Sequence, residues 1–71
     1  MLKKRRIEKH LTQEELAEKI VKTKGYINKL ENHPERCNPN VKLILKLSKE
    51  LDIDPIEIFS FFAENRKEHD N

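Results

Sequence analysis

The chain has 71 residues, 39% of them charged and 35% hydrophobic, with one Gly, three Pro, no Trp and a formal net charge of +2. A chain of this length holds one small domain and buries only about 60% of its unfolded surface, which excludes a doubly wound nucleotide-binding fold, a barrel and a deep catalytic pocket. No apolar run approaches the roughly 18 residues of a membrane span, no signal-peptide pattern follows the basic start, and the single Cys37 excludes an internal disulfide framework, so an intracellular, cytoplasmic setting is expected. The net charge hides an asymmetry: residues 1–36 carry a balance of +4 and residues 37–71 one of −2. The first half suits a polyanion and the second would repel one.

Lys3 to Lys9 favours a short helix with Leu2 and Ile7 as its apolar points. Thr12 then opens a second helix. Glu15, three residues on, completes a capping box, and Leu11 with Leu16 fits a hydrophobic staple. Leu16, Ala17 and Ile20 give that helix one narrow inward face. Thr23 caps a third helix running to Glu31 or Asn32, whose apolar residues are Tyr26, Ile27 and Leu30. Its other face holds Lys24, Gly25, Asn28, Lys29 and Asn32. Residues 32–40, with two prolines and no periodicity, read as a loop. Asn40 caps a fourth helix carried by Val41, Ile44, Leu45, Leu47 and Leu51. Asp54 as cap, Pro55 at the first position and Glu57 closing the box start a fifth, which is expected to end near Ala63 or Glu64. The fold class is therefore all-α, a five-helix domain over residues 1–64 with a polar, frayed tail over 65–71.

The composition of the third helix carries the functional signal. An α-helix fits the major groove of B-DNA, where base edges present a readable pattern of donors and acceptors. A reading helix needs one apolar side as anchor and long polar side chains near its start. Lys24, Asn28 and Lys29 supply them, and Gly25 leaves room for close approach. Lys donates to guanine O6 and N7, and Asn matches adenine. Thr12 and Gln13 stand at the start of the second helix, where free backbone N–H groups favour a phosphate.

The strings Leu11-Thr12-Gln13-Glu14-Glu15-Leu16-Ala17-Glu18-Lys19-Ile20 and Thr23-Lys24-Gly25-Tyr26-Ile27-Asn28-Lys29-Leu30-Glu31 resemble the Cro/CI-type (XRE) helix-turn-helix family. Asn38 to Val41 followed by Leu45 to Leu51 resembles that family's fourth helix. The resemblance covers Leu2 to about Phe59, with the helix-turn-helix over about 13–32. It implies a compact five-helix, lambda-repressor-like domain that binds double-stranded DNA in a sequence-specific way. It also implies that Thr23, Lys24, Gly25, Asn28 and Lys29 face bases. Thr12, Gln13, Asn32, Arg36 and Asn38 would meet phosphates, and Arg6 and Glu31 would form a salt bridge between the first and third helices.

The chain departs from the family pattern in three places: a turn, a loop and a helix end. Val21 stands where Gly is usual, and a left-handed backbone there would cost a β-branched residue roughly 1–2 kcal/mol unless the turn is reshaped. Beside it, Lys22 replaces a usual apolar residue. The loop from Glu31 to Pro39 is a residue or two longer than the common form. His10 replaces another frequent Gly.

Other readings stand beside these. His33 and Cys37 are four apart but lack further ligands at metal spacing, so no metal and no cofactor are expected. No nucleophile has an orienting partner, so no catalytic site is expected and the chain does not read as an enzyme. The fifth helix has more apolar residues than one buried stripe needs. If Ile53, Ile56 and Phe59 close the core, Ile58, Phe61 and Phe62 are left over, with Leu43 beside them. Clustered exposed aromatics mark interfaces, so Ile58, Phe61 and Phe62 are expected to form a homodimer seam. The competing arrangement packs them all on the first helix. The expected function is a small dimeric transcriptional regulator, a repressor, reading an operator with its third helix. The alternative is a protein-interaction module, such as an antitoxin or accessory subunit, with weak DNA binding.

Overall fold

A computed structural model describes residues 1–67, which form α1 (Leu2–Glu8), α2 (Gln13–Ile20), α3 (Lys24–Asn32), a 3-10 turn (Pro34–Arg36), α4 (Val41–Leu51) and α5 (Pro55–Lys67). No strand occurs among the described residues. The chain reverses within a few residues between helices, and side-chain caps start four of them. Thr12 Oγ1 accepts the Glu15 N–H at 3.0 Å, while Glu15 Oε1 accepts the Thr12 N–H at 2.8 Å. Thr23 Oγ1 accepts from Tyr26 N–H at 3.1 Å and Asn40 Oδ1 from Leu43 N–H at 2.8 Å. Asp54 Oδ1 accepts from Ile56 N–H at 2.7 Å, one residue earlier than a box with Glu57 would have it.

The helix ends are less ordinary. His10, Val21 and Asp52 all adopt left-handed backbone, with φ of 59°, 58° and 55°. Each ends a helix by a wrapped hydrogen-bond pattern that satisfies orphan carbonyls. After α2, Lys22 N–H donates to the Ala17 carbonyl at 2.8 Å and Val21 N–H to that of Glu18 at 3.3 Å. Leu11 N–H donates to Arg6, and Ile53 N–H to Ser48, in the same way. The turn after α2 is thus kept in its left-handed form with valine in it. The one glycine, Gly25, lies inside α3.

Leu16, Ile20, Ile27, Leu30, Leu47, Leu51 and Ile58 are fully buried, joined by Leu2, Ala17, Cys37, Leu43, Ile44 and Phe62. Ile7 points outward, and Arg6 takes the inward place beside it on α1. The fifth helix packs in a different phase from the one its sequence suggests. Ile58 is 0% and Phe62 4% exposed, and Phe61 packs half-buried against the core with its ring edge-on to Phe62. Ile58, Phe61, Phe62 and Asn65 recur at i, i+3, i+4 and i+7, a stripe that buries Ile58 and Phe62 and half-buries Phe61. Ile56 and Phe59 face solvent instead. An exposed seam of Ile58, Phe61 and Phe62 is therefore excluded, because the monomer's own core consumes them. The helix also runs past Glu64 to Lys67 rather than fraying. Asn65 Nδ2 donates to the Phe61 carbonyl at 2.7 Å, and Arg66 Nη1 donates to the Cys37 carbonyl at 3.3 Å, tying this end to the 3-10 turn. Residues 68–71 of the expected tail lie outside the described residues.

Arg6 and Glu31 meet inside the molecule. Arg6 Nε donates to Glu31 Oε2 at 2.6 Å and Nη2 to Oε1 at 3.2 Å, with side chains 9% and 1% exposed. Arg6 Nη1 also donates to the Leu11 carbonyl at 2.7 Å, and Gln13 Nε2 donates to Glu31 Oε1 at 3.0 Å. One buried network thus joins α1, the start of α2 and the end of α3. Next to it, Arg5 Nε donates to the Leu51 carbonyl at 2.9 Å, and Arg5 and Lys9 reach the Asp52 carboxylate at 3.4 and 3.6 Å.

Two stability changes follow. Arg6→Ala strands a buried carboxylate and should cost about 3–5 kcal/mol. That is a large part of the about 4–10 kcal/mol available to a domain this size, so urea titration should find the variant largely unfolded. Val21→Gly relieves the left-handed valine, which is 76% exposed and loses no packing. It should raise the urea-derived unfolding free energy by about 1 kcal/mol.

Candidate nucleic-acid interface

The surface of interest is built on α3. Ile27 and Leu30 anchor it in the core and Tyr26 is half-buried at its edge. Thr23, Lys24, Gly25, Asn28 and Lys29 all stand exposed on its outer side, with Asn32 at its end. Among the described residues, Lys24 and Lys29 make no salt bridge, whereas Arg5, Arg6, Lys9 and Lys19 each pair with a carboxylate. The outer side of α3 therefore offers uncommitted donors.

Gly25 sits at the second position of α3, where glycine costs a helix about 0.5–1 kcal/mol relative to alanine. Nothing inside the molecule requires it. A Cβ there would meet only Thr23 Oγ1, at 3.9 Å, an ordinary contact. The space in front of the backbone is open.

The polar residues expected to meet phosphates lie at both ends of α3. At its C-terminal end stands the start of α2, linked by the Gln13–Glu31 hydrogen bond. The capping box occupies the Thr12 and Glu15 N–H groups and leaves those of Gln13 and Glu14 outside it. Gln13 spends one amide hydrogen on Glu31 and keeps a second. Accepting the Thr12 backbone N–H, then its hydroxyl, holds the Glu15 carboxyl below the usual glutamate range. Asn32 Nδ2 donates to the Asn28 carbonyl at 3.1 Å.

At the other end, a cleft of about 320 Å³ separates the α2–α3 turn from the start of α4. Lys22, Tyr26, Asn38, Asn40, Lys42 and Lys46 line it. Lys22 Nζ sits over the Tyr26 ring at 5.5 Å from its centroid. Asn38, expected from the sequence, is thus joined by three lysines that sequence reasoning had not assigned. The i, i+4 spacing of Lys42 and Lys46 just after the Asn40 cap is the signal that would have found them. Arg36 stands apart on the 3-10 turn, exposed, with Nε 3.7 Å from Glu35. Below it Cys37 is buried, its thiol donating to the His33 carbonyl at 3.5 Å, and burial pushes its pKa up against the pull of Lys29. The His33 ring turns to Glu35, with Nδ1 3.5 Å from Oε2.

A family profile described as Helix-turn-helix matches residues 2–58. The chain belongs to this helix-turn-helix family, of the Cro/CI (XRE) type. The match begins at α1 and extends into α5, so it covers both α2–α3 and the scaffold that holds them. The family is a DNA-binding one, and this helix-turn-helix protein is of the DNA-binding transcription-regulator type. No curated protein and no solved structure matches it. Among the described residues no helix is long and apolar enough to cross a membrane.

The glycine supplies a test of this surface. Gly25→Ala should stabilise the helix-turn-helix protein by about 0.5–1 kcal/mol in thermal or urea unfolding. The same variant should bind duplex DNA more weakly in a gel-shift titration, because the added methyl group occupies the open approach to α3.

Proposed function

We propose that this protein is a transcriptional repressor that binds a partly palindromic operator as a homodimer and lays α3 of each copy in a major groove. The outward set of unpaired Lys24, Asn28 and Lys29 carries the reading. α3 spans about 13 Å, close to the roughly 12 Å width of the major groove. Lys24, Asn28 and Lys29 then lie where base edges can be read, with Thr23 and Gly25 at the point of closest approach. Thr12, Gln13 and Asn32 meet phosphates on one wall of the groove. Asn38, with Lys22, Lys42 and Lys46 around the cleft, meets phosphates on the other, and Arg36 reaches the backbone beyond.

The two sets play different parts. Phosphate contacts supply most of the affinity and fix the register, while base contacts discriminate sequence. A two-fold dimer sets its reading helices about 34 Å apart, one turn of the duplex. Occupying the operator then keeps other proteins off it.

Selection of bound sequences from random duplexes should return a two-part site with that spacing. Affinity for the selected site should fall steeply with added salt, by roughly 0.9 log units per log unit of salt for each phosphate neutralised. Lys24→Ala should cost about 1–3 kcal/mol at one base pair of the site and leave random duplexes nearly unaffected. Equal loss on both overturns the base-reading role. A salt-insensitive protein with no selected site would instead be an interaction module.

A further inference from the structure

We infer that the lysine-lined cleft between the α2–α3 turn and α4 also takes a free diphosphate group, such as a nucleotide carries, and that this ligand and DNA exclude one another. The inference rests on the reading above, which gives the same lysines to the duplex backbone, and it adds a means of releasing that backbone. The cleft holds about 320 Å³, within the roughly 300–1,000 Å³ of ordinary small-molecule sites. A passing DNA strand needs only a charged surface. A recess of this size has room for a whole group.

The walls select the chemistry of that group. Lys42 and Lys46 stand one turn apart on α4, and Lys22 lines the cleft from the turn. None of the three forms a salt bridge among the described residues, and no aspartate or glutamate lines the cleft. Glu50, one turn beyond Lys46, lies 4.0 Å from Lys19 instead. Three ammonium groups without a counter-charge repel one another, and an anion among them relieves that repulsion. A single phosphate carries about −1.5 to −2 near neutral pH, whereas a diphosphate, at about −3, matches three cations.

Two amides add direction. Asn40 Oδ1 accepts the Leu43 N–H, which leaves its Nδ2 hydrogens unengaged among the described residues. Asn38, also in the wall, makes no side-chain hydrogen bond among them. Both can donate to phosphate oxygens. Pro39, Leu43 and the half-buried Tyr26 ring supply apolar surface for an attached organic part. Lys22 Nζ rests 5.5 Å from the Tyr26 centroid, so an anion that draws this ammonium inward changes the surroundings of the ring. Lys24, Asn28 and Lys29 do not line the cleft. A bound diphosphate therefore removes backbone contacts and leaves the reading side of α3 untouched.

The test is calorimetric titration of the whole chain without DNA, with inorganic pyrophosphate and with adenosine diphosphate, at fixed ionic strength. One saturable site is expected for both. Equal affinities make the bare diphosphate the ligand, and tighter binding of the nucleotide makes it a nucleotide. Tyr26, the one tyrosine in a chain without tryptophan, should change its fluorescence along the same pyrophosphate curve. Lys22→Gln and Lys42→Gln should each weaken binding about tenfold, while Lys3→Gln, on α1 and outside the cleft, should not. All three lysines are exposed, and circular dichroism checks that each variant keeps its helices. If one cleft variant does not fold, the other decides. Heats that fail to saturate up to about 10 mM, or equal loss in all three variants, overturn the inference. Gel shifts on the selected duplex then test exclusion. Pyrophosphate should weaken duplex binding more than chloride at the same ionic strength, and should flatten the salt dependence by roughly 0.9 log units for each phosphate contact displaced. Pyrophosphate that binds but leaves the duplex in place also overturns the inference. A wild type that binds pyrophosphate yet shifts no duplex would sink the DNA reading instead and leave the diphosphate site standing.

Discussion

Arg6 and Glu31 are two full charges held out of water, and charges in that position must be matched on every side. The match comes from three parts of the chain at once. Glu31 takes both a guanidinium fork and the Gln13 amide, and Arg6 spends its remaining reach on the Leu11 carbonyl. Among the described residues no buried side-chain nitrogen or oxygen is left without a partner. The network fixes how α3 sits against the start of α2, which is the relation any groove-reading surface depends on. A hydrophobic contact would tolerate a slide of an ångström; a forked ion pair with two further hydrogen bonds does not.

The two sides of α3 are opposite solutions to the same problem. A helix of nine residues has little stability of its own in water. Ile27 and Leu30 supply what holds it, together with the Thr23 cap and Glu31 in the network. That leaves the outer side free to carry residues that do nothing for the fold: unpaired lysines, an asparagine, and a glycine that weakens the helix it occupies. A surface that costs stability and gives none back within the molecule is consistent with selection for an external partner.

Short-range chemistry was readable from the residues alone. Caps at Thr12, Thr23 and Asn40 act within three residues of themselves, so a local string is enough to place them. The all-α class and the exposed set on α3 follow from the same kind of signal. The phase of α5 did not, for a physical reason. Its sequence carries two apolar stripes, Ile56 with Phe59 and Ile58 with Phe61 and Phe62, and only the fit against α4 and the 3-10 turn selects between them. Reading the wrong stripe as buried inverted the expected seam. The extended end of α5 is tied down by Arg66 donating to the Cys37 carbonyl, a contact 29 residues back along the chain. Likewise, Lys42 and Lys46 join the cleft at Lys22 only once α4 is laid beside α2.

Three helices end on left-handed backbone, and not one of those ends is a glycine. Valine and aspartate codons become glycine codons by a single base change; histidine needs two. Asp52 has a reason to resist, since its carboxylate meets Arg5 and Lys9. Val21 has no such tie, so a lineage under heat stress has a loosening of strain one nucleotide away, at a turn between the two helices it most needs to keep in register.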